Sequence, residues 1–419
     1  MAHDSDQHDR SGPQQPPGPL AGLRVLEAGN QLTSYCGKLF AELGADVVLI
    51  EPPGGSALRS TPSGDQGLGS PSFRFFYQNT SKRSIVVDLR HPEGVAVVKE
   101  MILGADLLLE DSSPGILNDI GIGAEASIAL HPRLVYTSIT PFGQTGPYAS
   151  YQYTDLICMA FGGMLWMGGY ADDVPVQAAG EQAYMAGSLY GAVASMIALT
   201  HAELHGEGQH VDVSVQEAVA MGLENAAQYY DLNRHIRTRF GGGQREAGFG
   251  VFPCADGYVF LLAAGIGGNR FWPNMVKWLL AEGVANADEL AAPSWGSPEF
   301  MKSDAAKQRF SEIFTPYSRT RTKSELYHAS QSWRVPLGPV NNPSDIYRSD
   351  QLRSRGYFVD VDWFGRTVEL PGAPYGLSAT PWALTGPPPQ PGADTDDVLA
   401  DFGFSRDAIV QARSSGALG

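Results

Sequence analysis

Short apolar runs alternate with helical patterns along the first half of the chain. Residues 22–29 and 45–55 have the length and aliphatic content of buried strands, and residues 35–43 between them have helical spacing. A strand, a helix and a strand within about 30 residues form a parallel βαβ unit with a right-handed crossover. The pattern therefore predicts an α/β fold with a Rossmann-like parallel sheet.

The same alternation continues beyond this first unit. Strands are predicted over residues 84–89, 106–111, 133–140 and 208–215, and helices over 91–105, 124–130, 183–200 and 215–230. The turn after the first strand, residues 29–34, lacks the GxGxxG pattern that cradles a pyrophosphate. We therefore expect a Rossmann-like frame that does not bind NAD.

The pattern changes character near Gly241. A glycine-rich loop precedes a hairpin that turns at residues 255–257, and helical patterns with Trp- and Pro-rich loops continue to about residue 350. Residues 356–363 and 366–372 are predicted to be antiparallel strands. We divide the chain into a disordered tail (1–18), a large Rossmann-like domain (19–231), a smaller α+β domain (232–345) and a linker with a C-terminal return to the large domain (346–419).

Charge and cysteine content limit the classes of ligand and site that fit this sequence. The chain has 419 residues with a formal charge of −16, which disfavours nucleic acid and long-range attraction of anionic ligands. The three cysteines are widely spaced without a CxxC, so we expect a reducing cytoplasm and neither disulfides nor a metal site. The apolar run 183–200 is rich in Ala, Gly and Ser, which favours a helix buried in a soluble protein over a membrane span.

Two isolated carboxylates stand out between residues 151 and 190. Asp155 and Glu181 each precede a long uncharged run, and burying a carboxylate is costly unless it is paired or used. Taken alone, both residues are best interpreted as helix-start residues that accept hydrogen bonds from backbone N–H groups.

Six motifs carry a resemblance to a known family. In chain order they are LAGLRVLEAG, AELGADVVLIEPPGG, NTSKRSIVVDLRHPEG, SPGILNDIGIG, HPRLVYTSITPFGQTGPY and GEGQHVDVSVQEAV. Over about residues 19–415 the chain resembles the family III CoA-transferases, the group of formyl-CoA transferase, carnitine CoA-transferase and α-methylacyl-CoA racemase.

The resemblance implies an activity and an assembly. Members are interlocked homodimers or heterodimers of paralogues, which use a coenzyme A thioester as substrate and hold no permanently bound cofactor. In the transferases an aspartate attacks the acyl-CoA thioester, and anhydride and aspartyl-CoA intermediates follow. A glycine-rich loop covers the intermediate, and Gly241, Gly242, Gly243 and Gln244 match it.

The sequence departs from the family at the nucleophile. The position of the transferase aspartate holds Tyr184, which cannot form an acyl anhydride and is a poor nucleophile at a pKa near 10. Thr154 replaces the histidine that the racemases use, so racemase chemistry is disfavoured, since it needs a base on each face of the substrate. Asp155 stands where formyl-CoA transferase has a pocket glutamate.

The expected CoA contacts are mixed. Asn79, Lys82 and Arg83 match the family, and Arg90 stands where a basic contact is usual. Asp119 and Gln152 replace cations found in relatives, which would weaken binding of a polyphosphate.

Three hypotheses follow. In the first, the chain is a subunit of a hetero-oligomeric CoA-transferase whose paralogue supplies the aspartate, which resembles the arrangement of succinyl-CoA:benzylsuccinate CoA-transferase. In the second, the chain is a self-sufficient transferase that uses Glu181, about one helical turn before Tyr184, or Asp155. In the third, it is an acyl-CoA-binding protein or a lyase on the same fold.

Aromatic residues near the expected acyl pocket allow two interpretations. They fit a bulky or aromatic acid, but ordinary core packing is the favoured interpretation. The residues are Phe161, Trp166, Tyr170, Tyr229 and Tyr230.

Overall fold

A computed structural model describes residues 17–29, 31–60, 72–265, 270–363 and 365–419. Apart from its last two residues, the predicted tail lies outside this part of the chain. The chain forms two compact units. The described residues of the first unit lie within Met1–Met164, Ala178–Glu224 and Gly356–Gly419, and those of the second lie within Leu165–Gln177 and Asn225–Arg355. The division thus falls several residues from the predicted domain bounds and assigns 165–177 to the smaller unit.

The strands of the described residues follow the predicted alternation. They are β1 (Arg24–Ala28), β2 (Asp46–Glu51), β3 (Arg83–Val86), β4 (Leu107–Glu110), β5 (Val135–Thr140), β6 (His210–Ser214), β7 (Phe249–Cys254), β8 (Gly257–Leu262), β9 (Leu337–Val340), β10 (Phe358–Trp363) and β11 (Arg366–Pro371).

The first unit contains a six-stranded sheet in the order β3-β2-β1-β4-β5-β6. Every neighbouring pair in this sheet is parallel, as the βαβ pattern predicts. Strand order reverses between β1 and β4. In open parallel sheets, ligands bind outside the carboxyl ends of the strands at such a reversal. The fold therefore locates a candidate site before any side chain is considered.

The helices complete both units. They are α1 (Ser34–Ala41), α2 (Phe73–Gln78), α3 (Pro92–Leu103), α4 (Ile116–Asp119), α5 (Ala124–Leu130), α6 (Asp155–Phe161), α7 (Met164–Met167), α8 (Gln182–His205), α9 (Val215–Met221), α10 (Ala226–Asn233), α11 (Trp272–Ala281), α12 (Pro298–Lys302), α13 (Asp304–Ser318), α14 (Lys323–Trp333), α15 (Pro343–Tyr347), α16 (Asp350–Ser354), α17 (Thr395–Asp401) and α18 (Arg406–Ser414).

The predicted single helix over residues 215–230 is wrong, because the chain forms two helices there. Helix α9 ends at Met221 with Gly222 as its C-cap, and Glu224 has a φ of 54°, a left-handed conformation that a helix interior does not accommodate. Helix α10 begins only at Ala226. The apolar periodicity runs through the break, so it could not reveal it.

The core of the first unit lies between the sheet and its helices. Strand β4 is buried along its whole length, and apolar side chains of α3, α17 and α18 complete the cluster. Burying such residues stabilises the fold by roughly 1.5–3 kcal/mol for each large aliphatic side chain. A separate cluster forms where β10 and β11 pack Trp363 against Phe76 with ring centroids 4.6 Å apart.

Helix α8 lies close to β5 and to the start of α9. A Cβ atom added to Gly187 would lie 2.7 Å from Val215 Cγ2, and one added to Gly191 would lie 2.5 Å from Ile139 Cδ1. Only glycine permits this approach, which explains the small-residue composition noted in the sequence. By length and composition α8 could cross a membrane, but here its small-residue face packs on α1 and β5.

The second unit is built around a three-stranded antiparallel sheet in the order β7-β8-β9. The predicted hairpin corresponds to β7 and β8, joined at Ala255 and Asp256. One face of the sheet packs against aromatic side chains of α11 and α13, including Trp278 and Phe310, which are both fully buried. The unit therefore has its own core.

We predict that Gly187→Ala lowers the stability of the first unit. In an open helix this change would gain up to about 1 kcal/mol, but here the new methyl group meets Val215 and overpacks the interface by about 1–3 kcal/mol. Urea unfolding should therefore show a lower midpoint. The double variant Gly187→Ala/Val215→Ala should lose less free energy of unfolding than the two single variants lose together. If the two losses simply add, the close approach of Gly187 and Val215 is contradicted.

Candidate functional site

A cleft of about 570 Å³ lies at the carboxyl ends of the first four strands, where strand order reverses. Gly29 and Gln31 follow β1, and Asp111 and Ser112 follow β4. The segments after β2 and β3 complete the lining, including Pro52, Pro53 and Asp88–Arg90. The cleft therefore occupies the position that the topology indicates.

Carboxylates dominate the charge of this cleft. Glu51, Asp88 and Asp111 line it, and among the described lining residues Arg90 is the only arginine or lysine. Glu51 is neutralised by Arg59 in a bidentate pair at 2.6 Å, which helps lower the pKa of Glu51 against the effect of burial. Asp111 accepts the backbone N–H groups of Gln31 and Leu32 at 2.7 and 2.8 Å.

Arg90 is the cation best placed to meet an anionic ligand. Its side chain is 82% exposed and pairs with Asp88 at 2.8 Å. An exposed pair of this kind contributes little to stability, so a phosphate could displace the carboxylate at small cost.

Two predicted contacts, Asn79 and Lys82, belong to a buried network instead of lining the cleft. Lys82 Nζ donates to Glu27 at 2.6 Å, to the Ser34 carbonyl at 2.8 Å and to Asn79 Oδ1 at 2.9 Å. Both ends of the Lys82–Glu27 pair are fully buried. Burial raises the pKa of Glu27 and lowers that of Lys82, and the ion pair opposes both shifts.

Arg83 lies at the beginning of β3, at the opposite end of the strand from Arg90. Its guanidinium pairs with Asp46 at 2.5 Å and with Asp401 at 2.7 Å. These partners join β2 and α17 to the amino end of the sheet. The roles of Asn79, Lys82 and Arg83 as CoA contacts therefore stay predictions, and the contacts described here give all three side chains structural partners.

Asp155 caps a helix other than its own. It begins α6, and its Oδ1 accepts the backbone N–H of Tyr184 in the first turn of α8 at 3.0 Å. Thr154 caps α6 by accepting from the N–H of Ile157. The expected backbone acceptor role is thus present, but the donor belongs to the neighbouring helix. This contact joins the two isolated segments noted in the sequence.

Glu181 precedes α8 but makes no side-chain cap hydrogen bond. Its carboxylate instead pairs with Arg74 at 2.6 Å, where Arg74 is 15% and Glu181 is 37% exposed. Burial raises the pKa of Glu181, Arg74 opposes this shift, and the nearby charge of Asp155 adds to it. Glu181 is therefore a carboxylate held by an arginine.

The Tyr184 ring packs against Arg74 and Tyr153. The Arg74 guanidinium lies 5.4 Å from its centroid, and Tyr153 packs edge-on at 6.0 Å. Tyr184 is 5% exposed, and burial raises the pKa of its phenol, so the hydroxyl stays protonated at neutral pH. It can donate a hydrogen bond, but it cannot serve as a nucleophile.

This cluster, which we call the Arg74 cluster (Arg74, Tyr153, Asp155, Glu181 and Tyr184), adjoins the cleft. Tyr153 lines the cleft directly, and Arg74 donates to the carbonyl of the lining residue Gln31 at 3.1 Å. Sequence reasoning found Asp155, Glu181 and Tyr184 but missed Arg74. An arginine within the aromatic run FRFFYQ gave no local signal, because its partner lies 107 residues away.

In the second unit, the glycine-rich loop has the backbone conformation that requires glycine. Gly241 and Gly242 have φ values of 60° and 81°, and a Cβ on Gly241 would lie 2.3 Å from the Tyr170 ring. The Gln244 amide holds the loop by donating to the Lys307 carbonyl and Ser311 and by accepting from the Gly248 N–H. Gln244 thus anchors the loop.

The favoured core-packing interpretation of the five aromatic residues is wrong. All are at least 41% exposed. In the second unit, arginines cover several of these rings, with Arg239 over Trp166 and Arg237 over Tyr229. The rings therefore lie at the surface of their units, beside cationic side chains.

We predict that Lys82→Met destabilises the first unit by about 3–5 kcal/mol, because it leaves Glu27 buried without its partner. The double variant Glu27→Gln/Lys82→Met should recover most of this loss in urea unfolding. A Lys82→Met protein of normal stability that binds CoA weakly would instead support the predicted CoA contact.

Known proteins and a family model match most of the length of this chain. The model of CoA-transferase family III matches residues 20–395. The chain is 39% identical to succinyl-CoA:(R)-benzylsuccinate CoA-transferase subunit BbsE of Thauera aromatica, covering 94% of this chain and 97% of that protein. It is 32% identical to succinate–glutarate CoA-transferase of Agrobacterium fabrum, covering 92% and 96%.

A solved structure agrees with these relatives. A CAIB/BAIF family protein from Brucella suis superposes with a TM-score of 0.79 at 25% identity, covering 92% of this chain and all of that chain. The parallel sheet and the site at its carboxyl ends thus occur in a chain that belongs to CoA-transferase family III.

Proposed function

We propose that this chain is the non-nucleophilic subunit of a hetero-oligomeric CoA-transferase. A paralogous subunit would supply the aspartate that attacks the acyl-CoA thioester, releasing CoA and forming a mixed anhydride. The CoA thiolate would then attack the aspartyl carbonyl of this anhydride, releasing the donor acid and forming an aspartyl-CoA thioester. The acceptor carboxylate would displace CoA to form a second anhydride, and CoA would attack its acyl carbonyl, which releases the new acyl-CoA and the free aspartate. This chain would contribute the scaffold, a CoA cleft and the retained glycine-rich loop.

The state of Tyr184 carries this proposal. Tyr184, which the resemblance predicts at the position of the family nucleophile, has a buried, protonated phenol, and the two nearby carboxylates already have partners. Asp155 accepts the Tyr184 N–H, and Glu181 pairs with Arg74. A nucleophilic carboxylate needs an oxygen free to reach the thioester carbonyl. The contacts of Asp155 and Glu181 argue against either residue in that role.

An exposed apolar stripe on α8 supports a partner chain. Leu189, Val193 and Ile197 recur every four residues and are 51%, 52% and 66% exposed, and Leu204 continues the stripe at 73%. Contiguous exposed apolar surface marks a contact with another protein. The relative in Thauera aromatica is named as a subunit, which favours a paralogous subunit as the partner.

The acidic cleft fits a reduced role in binding CoA. Three carboxylates and one described cation line it, in a chain with a net charge of −16. Such a cleft attracts a polyphosphate weakly. We propose that it holds CoA mainly through Arg90 and backbone N–H groups.

Glu181 gives the alternative its strongest support. Its carboxylate is more exposed than Arg74, and burial raises its pKa, so it lies nearest to a usable nucleophile. In this second candidate function the chain transfers CoA by itself, with Glu181 replacing the family aspartate.

Reconstitution separates the two candidates. We expect the purified chain to show no transfer from succinyl-CoA, the donor named for the Thauera relative, to a panel of carboxylic acids that includes benzylsuccinate. Activity should appear when a paralogue with Asp at the Tyr184 position is added. Hydroxylamine trapping should then label the partner's aspartate by mass spectrometry.

Glu181→Gln is the matched variant. In the heteromer it should lower the rate by no more than about threefold, because it weakens a structural ion pair and removes no nucleophile. Transfer by this chain alone that Glu181→Gln abolishes would establish the alternative instead.

We predict that Arg90→Gln weakens CoA binding about tenfold at low salt, because it removes a charge-assisted contact with phosphate. The difference should shrink at high ionic strength. Arg83→Gln tests the competing contact that the sequence predicts, and we expect it to bind CoA like the wild type, since Arg83 pairs with Asp46 and Asp401. Calorimetric titration of both variants measures this, and a larger effect at Arg83 would contradict the assignment.

A further inference from the structure

A buried carboxylate holds the wall of the CoA cleft from behind. Glu110 is the last residue of β4, is 4% exposed, and accepts the backbone N–H of Ser112 at 2.8 Å. Asp111, the next residue, accepts from Gln31 and Leu32 on the other side. Two consecutive carboxylates therefore fix the segment that lines the cleft.

Two polar side chains lie between Glu110 and the surface. Ser138 on β5 is the register partner of Glu110, and its hydroxyl favours the ionised form of that carboxylate. Ser138 Oγ lies 3.0 Å from His210 Nε2 on β6, and His210 reaches the surface. Partial desolvation of the ring lowers the pKa of His210, against the charge of Asp212.

These groups line a second cavity of about 270 Å³, distinct in lining from the CoA cleft. Gln144 Nε2, from the FGQTGP motif, lines it as a buried donor without a hydrogen-bond partner among the described residues. A buried donor costs about 1–3 kcal/mol when unpaired, and a polar cavity of this size admits water. The cavity therefore has room for water that can exchange a proton with Glu110.

No cation holds Glu110 ionised. The described residues that line this cavity include no lysine or arginine. The charged and titratable groups around it are Asp111 on its own strand end, Tyr136 on β5, His210 and Asp212 on β6, and Glu125 on α5. Burial therefore dominates and raises the pKa of Glu110 to about 7.

A ligand in the cleft acts on this carboxylate through the shared wall. Phosphate groups beside Asp111 and Ser112 bring negative charge toward Glu110, which favours the protonated form. By linkage, protonation of Glu110 favours the anionic ligand to the same degree.

We propose that Glu110 is a positioning residue of the CoA cleft that takes up a proton when CoA binds, with Ser138 and His210 connecting it to solvent. This inference rests on the proposed CoA-binding function. The residue acts through the Ser112 N–H and touches no reacting atom.

Calorimetric titration of CoA at pH 7, in two buffers of different ionisation enthalpy, tests the proposal. The heteromer should be used if this chain alone binds weakly. When CoA binds, the wild-type protein should take up a fraction of a proton more than the Glu110→Gln variant. Protons exchanged by CoA itself are the same in both titrations and drop out of this difference. Glu125→Gln, from the same cavity, should behave like the wild type.

The pH profile gives the second readout. From pH 6 to 8, wild-type affinity should fall several-fold more than that of Glu110→Gln. Ser138→Ala removes a donor to the ionised carboxylate and should move the midpoint of this fall to higher pH, and it covers the case in which Glu110→Gln does not fold.

The outcomes distinguish failure of this inference from failure of the proposed function on which it rests. Equal proton uptake and parallel pH profiles in wild type and variants, with CoA bound, would overturn the inference alone. Absence of CoA binding in both the chain and the heteromer would overturn the proposed function, and the inference with it.

Discussion

The close approach of α8 to β5 is the constraint on which the site depends. Gly191 faces Ile139 of β5 and Gly187 faces Val215 at the start of α9, at distances that a side chain at either position would prevent. This contact fixes the first turn of α8, where Tyr184 and its capping carboxylate Asp155 meet. The backbone at position 184, where the resemblance predicts the family nucleophile, is therefore set by this packing and is independent of the residue that occupies it.

That independence would let the fold persist if, as the resemblance predicts, a tyrosine replaces the family aspartate at position 184. A family aspartate at position 184 would need solvation or partners for its charge, whereas a tyrosine ring fills the space between Arg74 and Tyr153. Arg74 is neutralised by Glu181 in the same cluster. The cation and the partly exposed carboxylate of this cluster thus neutralise each other.

The sheet could be predicted from the sequence because its strands are short, strongly apolar and separated by helical spacing, as β1 and β2 illustrate. The break after α9 could not, since it depends on a left-handed residue, Glu224, within an unbroken apolar pattern. For the site, the resemblance predicts that Tyr184 stands at the nucleophile position. The burial of Lys82 and the pairing of Arg74 escaped prediction, because each depends on a partner distant in sequence, Glu27 or Glu181.

The apolar stripe on α8 has a consequence for the cell that makes this protein. An orphan chain displays Leu189, Val193, Ile197 and Leu204 to water, and such surfaces are bound by chaperones and lead to aggregation or degradation. If the paralogue covers this stripe, each chain is protected only while the other is present. Balanced synthesis of the two chains, ideally from one transcript, would then govern how much of either protein accumulates.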